Sequence, residues 1–322
     1  MVFNRIIMMK NSKRLKKIKG DASFRKFYRD YLNKSIIVFS SKEKTKNLLV
    51  YDAINKILKK NKILAPQILS QKYSKNYIEI EDFGDETLLK LLLKKNTNKY
   101  LIFTKIIKVL NKIQIIKDKK IKNFKKKTYE IKEYKKQILF NETNLFLDWY
   151  VTKKLSKFKL VIFNKKFKKE VKNLLSKLSL KNDTFVHRDF HVSNLMNLSN
   201  KIGVIDSQDA LIGNKAYDLA SLIDDVRFRT SYQLKKKIFN YYVKTNKKIE
   251  FKKFEKDFEI LSILRNLKII GIFMRLAVRD NKKKYLRLIP YAWEMISYRI
   301  KKRKEFKNLM ILLKNNFPKS IS

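Results

Sequence analysis

The chain has 322 residues, with 78 Lys and Arg against 29 Asp and Glu, for a formal net charge of +49. Hydrophobic residues make up 44%, enough for a buried core, so wholesale disorder is excluded. There is no cysteine, which excludes a disulfide frame and any thiolate metal site.

Along the chain, the first nineteen residues carry only the short apolar clusters Ile6–Met9 and Leu15–Ile18 among basic residues. They lack the apolar core and small-residue cleavage site of a secretory signal, and no apolar run approaches the ~20 residues of a membrane span. A cytoplasmic protein is expected, with 1–17 as a basic extension. Phe24, Phe27 and Tyr28 suit a hairpin, and Ser35–Phe39 is a β-branched strand. Leu49, Ala53, Ile57 and Val50, Ile54, Leu58 recur at helical spacing, which predicts an amphipathic helix over 43–60. Pro66 opens an extended segment. From Asn76 to Glu81, Ile78 and Ile80 alternate with Glu79 and Glu81, the period of a half-buried strand.

Beyond Gly84 helices dominate. Ile102, Ile106, Val109, Leu110 and Ile113 form one stripe, and Phe167, Val171, Leu174, Leu175 and Leu178 another. Strands interrupt between 183 and 206, and the chain reads helical from Ala216 to its end. These elements predict an α+β, two-lobe fold. A small β-rich N-lobe spans 18–82 and a larger helical C-lobe 83–322.

The charge has a bland origin. Lys supplies 65 of the basic residues and Arg 13, whereas phosphate recognition favours Arg forks. The lysines are spread everywhere, in runs no longer than triplets such as Lys125–Lys127. No specific nucleic-acid partner is expected. One stretch breaks the trend. From His187 to Val226, six aspartates (Asp189, Asp206, Asp209, Asp218, Asp224, Asp225) stand against Arg188, Lys201 and Lys215. Both histidines, His187 and His191, lie there too.

This stretch reads as a site. Leu195–Leu198 and Ile202–Ile205 flank the turn residues Ser199, Asn200 and Lys201. A hairpin centred on Asn200 sets Asn194 opposite Asp206, two oxygen donors at its open end. A carboxylate and an amide oxygen suit a hard cation such as Mg²⁺. Asp189, five residues before Asn194, is placed to receive a proton from a substrate hydroxyl. His-x-Asp-x-x-x-x-Asn, then a hairpin and an apolar run ending in Asp, is the pattern of kinase-like folds, although Asp206-Ser207-Gln208 stands in place of Asp-Phe-Gly. ATP and Mg²⁺ are the expected cofactors. His187 is expected to organise the loop, and Asp218 to fix it through backbone hydrogen bonds. His191 either lines the cleft or faces solvent, and Asp224 and Asp225 suit a solvated helix face.

Four stretches make the chain resemble the aminoglycoside phosphotransferase family of kinase-like enzymes, and within it the anomeric sugar kinase branch acting on N-acetylmuramate and N-acetylglucosamine. They are Gly20–Phe27, Leu147–Val151, Val204–Ala210 and Arg265–Arg275. The resemblance runs from about Ile18 to about Pro290. It implies a nucleotide loop at Asp21, Ala22, Ser23, Phe24 and Arg25, and sugar contacts from Gln208, Asp209, Trp149 and Arg275. It implies peptidoglycan recycling as the context. Glu79 to Phe83 is expected to form the hinge that meets adenine, with Glu81 and Phe83 among its contacts. No lysine ends the strand Ser35–Phe39, so the cation facing the phosphates is Arg25, Lys26 or Lys42. Ser207 and Asn266 replace the branch's Phe and His. A monomeric sugar kinase is expected. An aminoglycoside or small-amine kinase and an inactive kinase-like binding protein are the rivals.

Overall fold

The computed structural model describes residues 15–18, 25–40, 46–199 and 201–321. These form two compact units that interleave along the chain. One gathers the described residues of 1–97, 115–131 and 193–210, the other those of 98–114, 132–192 and 211–322. From the sequence, boundaries are expected after residue 17 and, between the two lobes, after residue 82.

The first unit is built on a five-stranded antiparallel sheet. Its strands are β1 (Leu15–Ile18), β2 (Lys26–Asp30), β3 (Ser35–Phe39), β4 (Ile68–Lys72) and β5 (Tyr77–Glu81), in the order β1-β2-β3-β5-β4. The β-branched β3 lies at its centre, between β2 and β5. In β5 the alternation works as read, with Ile78 and Ile80 buried and Glu81 exposed. Helix α1 (Lys46–Lys60) lays Leu48 and Tyr51 against Val38, Ile78 and Ile80. Burying each large apolar side chain there contributes about 1.5–3 kcal/mol. β1 begins at Leu15, inside the segment expected to be an extension. Its ladder with β2 puts those residues in the sheet.

A short helix α2 (Leu88–Leu92) and two hairpins complete this unit. The strands β6 (Lys120–Lys122) and β7 (Thr128–Glu130) had no signature in the sequence, being three residues each. Strands β9 (Leu195–Leu198) and β10 (Lys201–Val204) form the expected hairpin, but in a register one residue from that expected. Leu195 pairs with Val204 and Leu198 with Lys201, so Asn194 faces Ile205 rather than Asp206. The cause is the turn. Ser199 takes a left-handed φ of 44°, which closes the connection with two residues instead of three.

The second unit is helical. It contains α3 (Lys99–Gln114), α4 (Lys136–Leu145), a π-turn over Phe146–Tyr150 and α5 (Lys157–Ser176). A two-stranded ladder of β8 (Asn182–Val186) and β11 (Leu211–Asn214) follows, then α6 (Ala216–Ile223), α7 (Tyr232–Thr245), α8 (Phe251–Val278), α9 (Ile289–Ile300) and α10 (Lys307–Asn316). The apolar stripe of α3 buries Phe103, Ile106, Ile107, Leu110 and Ile113. α8 runs through the middle of the unit against α4, α6, α9 and the π-turn.

Asp224 and Asp225 are not a solvated face; both are buried. Asp224 takes a two-pronged ion pair from Arg299 at 2.8 and 3.1 Å, a hydrogen bond from Ser262 at 2.6 Å, and Lys235 at 3.3 Å. Asp225 accepts from Arg227. Buried carboxylates persist when they are paired in this way.

Candidate active site

In the first unit, the β9/β10 hairpin is tied down at both strands. Val204 N donates to Leu64 O at 2.7 Å and Asn197 N to Glu86 O at 2.8 Å. At its open end Ile205 N donates to Asn194 O at 3.1 Å, so Asp206 follows immediately on the residue that pairs with Asn194. Asp206 adopts a left-handed φ of 62°, a conformation that costs a non-glycine residue and recurs at functional sites.

Three side chains converge on Asp206 and Ser207. Arg25 Nη2 donates to Asp206 Oδ1 at 2.8 Å, and Gln208 Nε2 donates to the same oxygen at 3.1 Å and to Asp209 Oδ2 at 2.9 Å. Gln208 Oε1 is a buried acceptor with no hydrogen-bond partner. Ser207 Oγ donates to Asn55 Oδ1 at 2.6 Å, and Asn55 Nδ2 to Pro66 O at 3.0 Å. One turn before Asn55, burial pushes the Tyr51 phenol up to about 12, against the opposing pull of Asn55 and Arg25. Helix α1 thus holds the Asp206 segment through Asn55. Phe83 lies over β10 at Gly203, where an added Cβ would stand 2.7 Å from its ring. Glu81 is exposed, and its backbone N–H donates to Gln67 O. Asp21, Ala22, Ser23, Phe24 and Lys42 lie outside the described residues, and Lys26 is exposed.

In the second unit, Asp189 sits on the loop after β8. Buried Asp218, from α6, accepts from His187 N at 2.7 Å and from Arg188 N at 3.0 Å. Arg188 takes a left-handed φ of 74°, and His187 is buried with its ring edge-on to Phe190. Burial acts to raise the Asp189 carboxyl, but its surroundings, chiefly the Lys268, Arg265 and Arg188 cations, outweigh it and hold the group well below the usual carboxylate range. Burial, with Arg227 adding to it, lowers the His191 imidazole to about 3, so it is neutral. His191 is buried rather than solvent-facing. Burial carries Asp218 up to about 7, in spite of its two backbone donors.

Trp149 and Arg275 also belong to the second unit. Gly271 of α8 touches the backbone where α4 meets the π-turn: an added Cβ would stand 2.3 Å from Leu145 O. Trp149 lies four residues beyond Leu145, and Arg275 four beyond Gly271, with Arg275 Nε buried and unpartnered. The structure therefore groups Asn194, Asp206, Gln208, Asp209 and Arg25 in one unit. Asp189, His187, Asp218, Trp149 and Arg275 are in the other. Tyr51, Asn55, Glu142 and Lys268 went unassigned in the sequence. The only signal for the first two is a pair of polar residues spaced i, i+4 on the buried side of a helix.

The donor set fits a hard cation. Asn194 and Asp206 offer oxygen only, and Mg²⁺ characteristically takes one or two protein ligands and fills its shell with phosphate and water oxygens. Among the described residues no group of three or more His, Asp and Glu side chains is placed to hold a metal alone.

The chain is 28% identical over 282 residues to the N-acetylmuramate/N-acetylglucosamine kinase of Neisseria meningitidis serogroup B, covering 84% of this chain and 81% of that one. It is 27% identical over 299 residues to the protein of the same name from Pseudomonas putida, covering 90% and 84%. Among solved structures, the GDP and kanamycin complex of APH(2")-IIia superposes with a TM-score of 0.61 at 11% identity, covering 92% of this chain and 98% of that one. A choline/ethanolamine kinase family protein from Mesorhizobium loti gives 0.61 at 10%, covering 94% and 92%. At those identities the likeness shows the protein-kinase-like fold alone. The model of the APH phosphotransferase enzyme family matches residues 14–247, and the chain belongs to that family.

Proposed function

We propose that this phosphotransferase is an ATP- and Mg²⁺-dependent sugar kinase that phosphorylates the anomeric hydroxyl of N-acetylmuramate or N-acetylglucosamine. The observation that carries the reading is Asp206, turned left-handed at the open end of a hairpin beside Asn194 and contacted there by Arg25. The names of the relatives at 27–28% identity supply the acceptor class.

Asn194 and Asp206 would hold the magnesium ion. When bound, it neutralises charge developing on the transferred phosphoryl group. The other roles fall to the chain. Asp189 takes the proton from the attacking hydroxyl; its low pKa makes it an orienting acceptor more than a strong base. Arg25 meets the phosphates in place of the missing strand lysine, exchanging Asp206 for the nucleotide. Glu81 offers backbone groups to adenine and Phe83 a ring face, with Asp21, Ala22, Ser23 and Phe24 on the phosphate side. Gln208 uses its unpartnered Oε1 to accept from a sugar hydroxyl, and Asp209, Trp149 and Arg275 are the other residues assigned to the sugar. Residues 18–82 serve as the nucleotide lobe and 83–322 as the larger one. The protein works as a monomer in the cytoplasm, without a specific nucleic-acid partner. No helix among the described residues is long and apolar enough to cross a membrane.

An aminoglycoside kinase is the second reading, favoured by the family match and by the exposed carboxylate of Asp209. The experiment is a phosphate-transfer assay with MgATP against N-acetylmuramate, N-acetylglucosamine and a set of aminoglycosides. The new phosphate is then located on the product by NMR. Phosphate on C1 of an N-acetyl sugar is the expected result. Transfer only to aminoglycosides selects the second reading, and transfer to none overturns both.

A further inference from the structure

Behind the Asp189 loop lies a buried charge network that the proposed mechanism does not use. Glu142, near the end of α4, supplies a carboxylate at the centre of this network. Its Oε1 accepts from the Arg188 guanidinium. Its Oε2 accepts from Lys268 Nζ at 2.9 Å and from the Tyr134 hydroxyl at 2.5 Å. Tyr134 lies under the Arg188 guanidinium at 5.2 Å and edge-on to Tyr217 at 5.0 Å. Tyr217 in turn lies 3.5 Å from Lys268 Nζ. The side chains of Glu142, Lys268 and Arg188 are 14%, 13% and 20% exposed, so water screens these charges poorly.

Both cations that Glu142 holds also act on Asp189. Arg188 precedes it in the chain, and its left-handed backbone accompanies a side chain that ends on Glu142. Lys268 is the charge with the largest lowering effect on the Asp189 carboxyl. Glu142 therefore competes with Asp189 for both. A carboxylate gripped by two buried cations is a poor acceptor for a substrate proton.

We propose that Glu142 is a positioning residue, which draws Lys268 and Arg188 onto itself and so keeps Asp189 able to orient and accept the proton of the acceptor hydroxyl. The inference rests on the reading of Asp189 given above. Other groups acting on Asp189 are Arg265 of α8, His191 of its own loop and Asp218 of α6, and Asp225 in turn acts on Arg265 and His191. His191 is neutral and Asp218 is committed to the loop backbone, so the balance rests on Glu142, Lys268 and Arg188, with Arg265 a constant background.

The test is kinetic, on the full chain with MgATP and the sugar it phosphorylates best. Glu142→Gln removes the competing charge, and kcat falls roughly tenfold to a hundredfold while KM for ATP stays within about twofold. Adding Lys268→Met to Glu142→Gln raises kcat above that of Glu142→Gln alone, because one of the released cations is gone. Lys268→Met alone moves the acid limb of the kcat/KM profile to higher pH. Glu142→Asp keeps the charge at shorter reach and loses less than Glu142→Gln. It decides the matter if Glu142→Gln does not fold. A double variant slower than Glu142→Gln, or a Glu142→Asp no better than Glu142→Gln, marks a merely structural residue and overturns the proposal. If Asp189→Asn retains wild-type turnover, the reading of Asp189 fails first. If Asp189→Asn is inactive and Glu142→Gln is unimpaired, only this inference fails.

Discussion

At the scale of single residues, three carboxyl-bearing positions do different work because their surroundings differ. Asp189 is surrounded by cations, Asp206 shares an oxygen between Arg25 and Gln208, and Asp218 spends both oxygens on backbone N–H groups. Asp189→Ala should lower turnover by at least the ~10²–10⁴ typical of lost acid–base assistance, read as initial rates of ADP release. Arg25→Ala should leave kcat nearly intact and raise KM for ATP about tenfold, as one charge-assisted contact is worth roughly 1.5–3 kcal/mol. An unchanged KM removes Arg25 from the phosphate site. The Asp189, Asn194 and Asp206 set could be proposed from the sequence because it lies within eighteen residues of one segment. Asn55, Glu142 and Lys268 could not, since each meets a partner across a long stretch of chain that no local pattern encodes.

At the scale of elements, close approach decides what a position tolerates. Gly271 is the example: the backbone at Leu145 occupies the space a Cβ needs. Gly271→Ala should destabilise the second unit by about 1–3 kcal/mol, seen as a lower urea midpoint with unchanged m-value, and displace the π-turn that carries Trp149. The amphipathic elements α1, α3 and β5 were readable from their period. The three-residue strands β6 and β7 and the π-turn were not, because they are held by neighbours rather than by composition. The β9/β10 register shows the limit most clearly. One left-handed residue at Ser199 shortens the turn and moves every pair by one.

At the scale of the molecule, buried ionisable groups tie stability to pH. His191 is neutral when folded and protonates near pH 6.5 when unfolded, so its contribution is present above about 6.5 and lost as pH falls toward 3. Asp218 runs the other way. Its raised carboxyl keeps a proton in the fold up to about 7, so its contribution is present below about 4 and lost as pH rises to 7. Between about 4 and 6.5 the two slopes oppose each other, and urea midpoints should be nearly flat there. His191→Asn should unmask a fall in midpoint as pH rises from 5 to 7, and a wild-type-like profile in that variant refutes the balance. Below about 4 the Asp224 carboxyl, which its cationic partners hold low against the burial that would raise it, should lose its contribution and bring acid unfolding.

The amino-acid sequence by itself determined the class of the fold and the hairpin with Asn194 and Asp206 near its open end, because these follow from local period, turn chemistry and short spacing. The tertiary structure alone decided the hairpin register, the burial of Asp224 and Asp225, the neutrality of His191 and the grip of Glu142 on Lys268 and Arg188. Those depend on which distant side chains share a low-dielectric interior, where a charge survives only beside a partner.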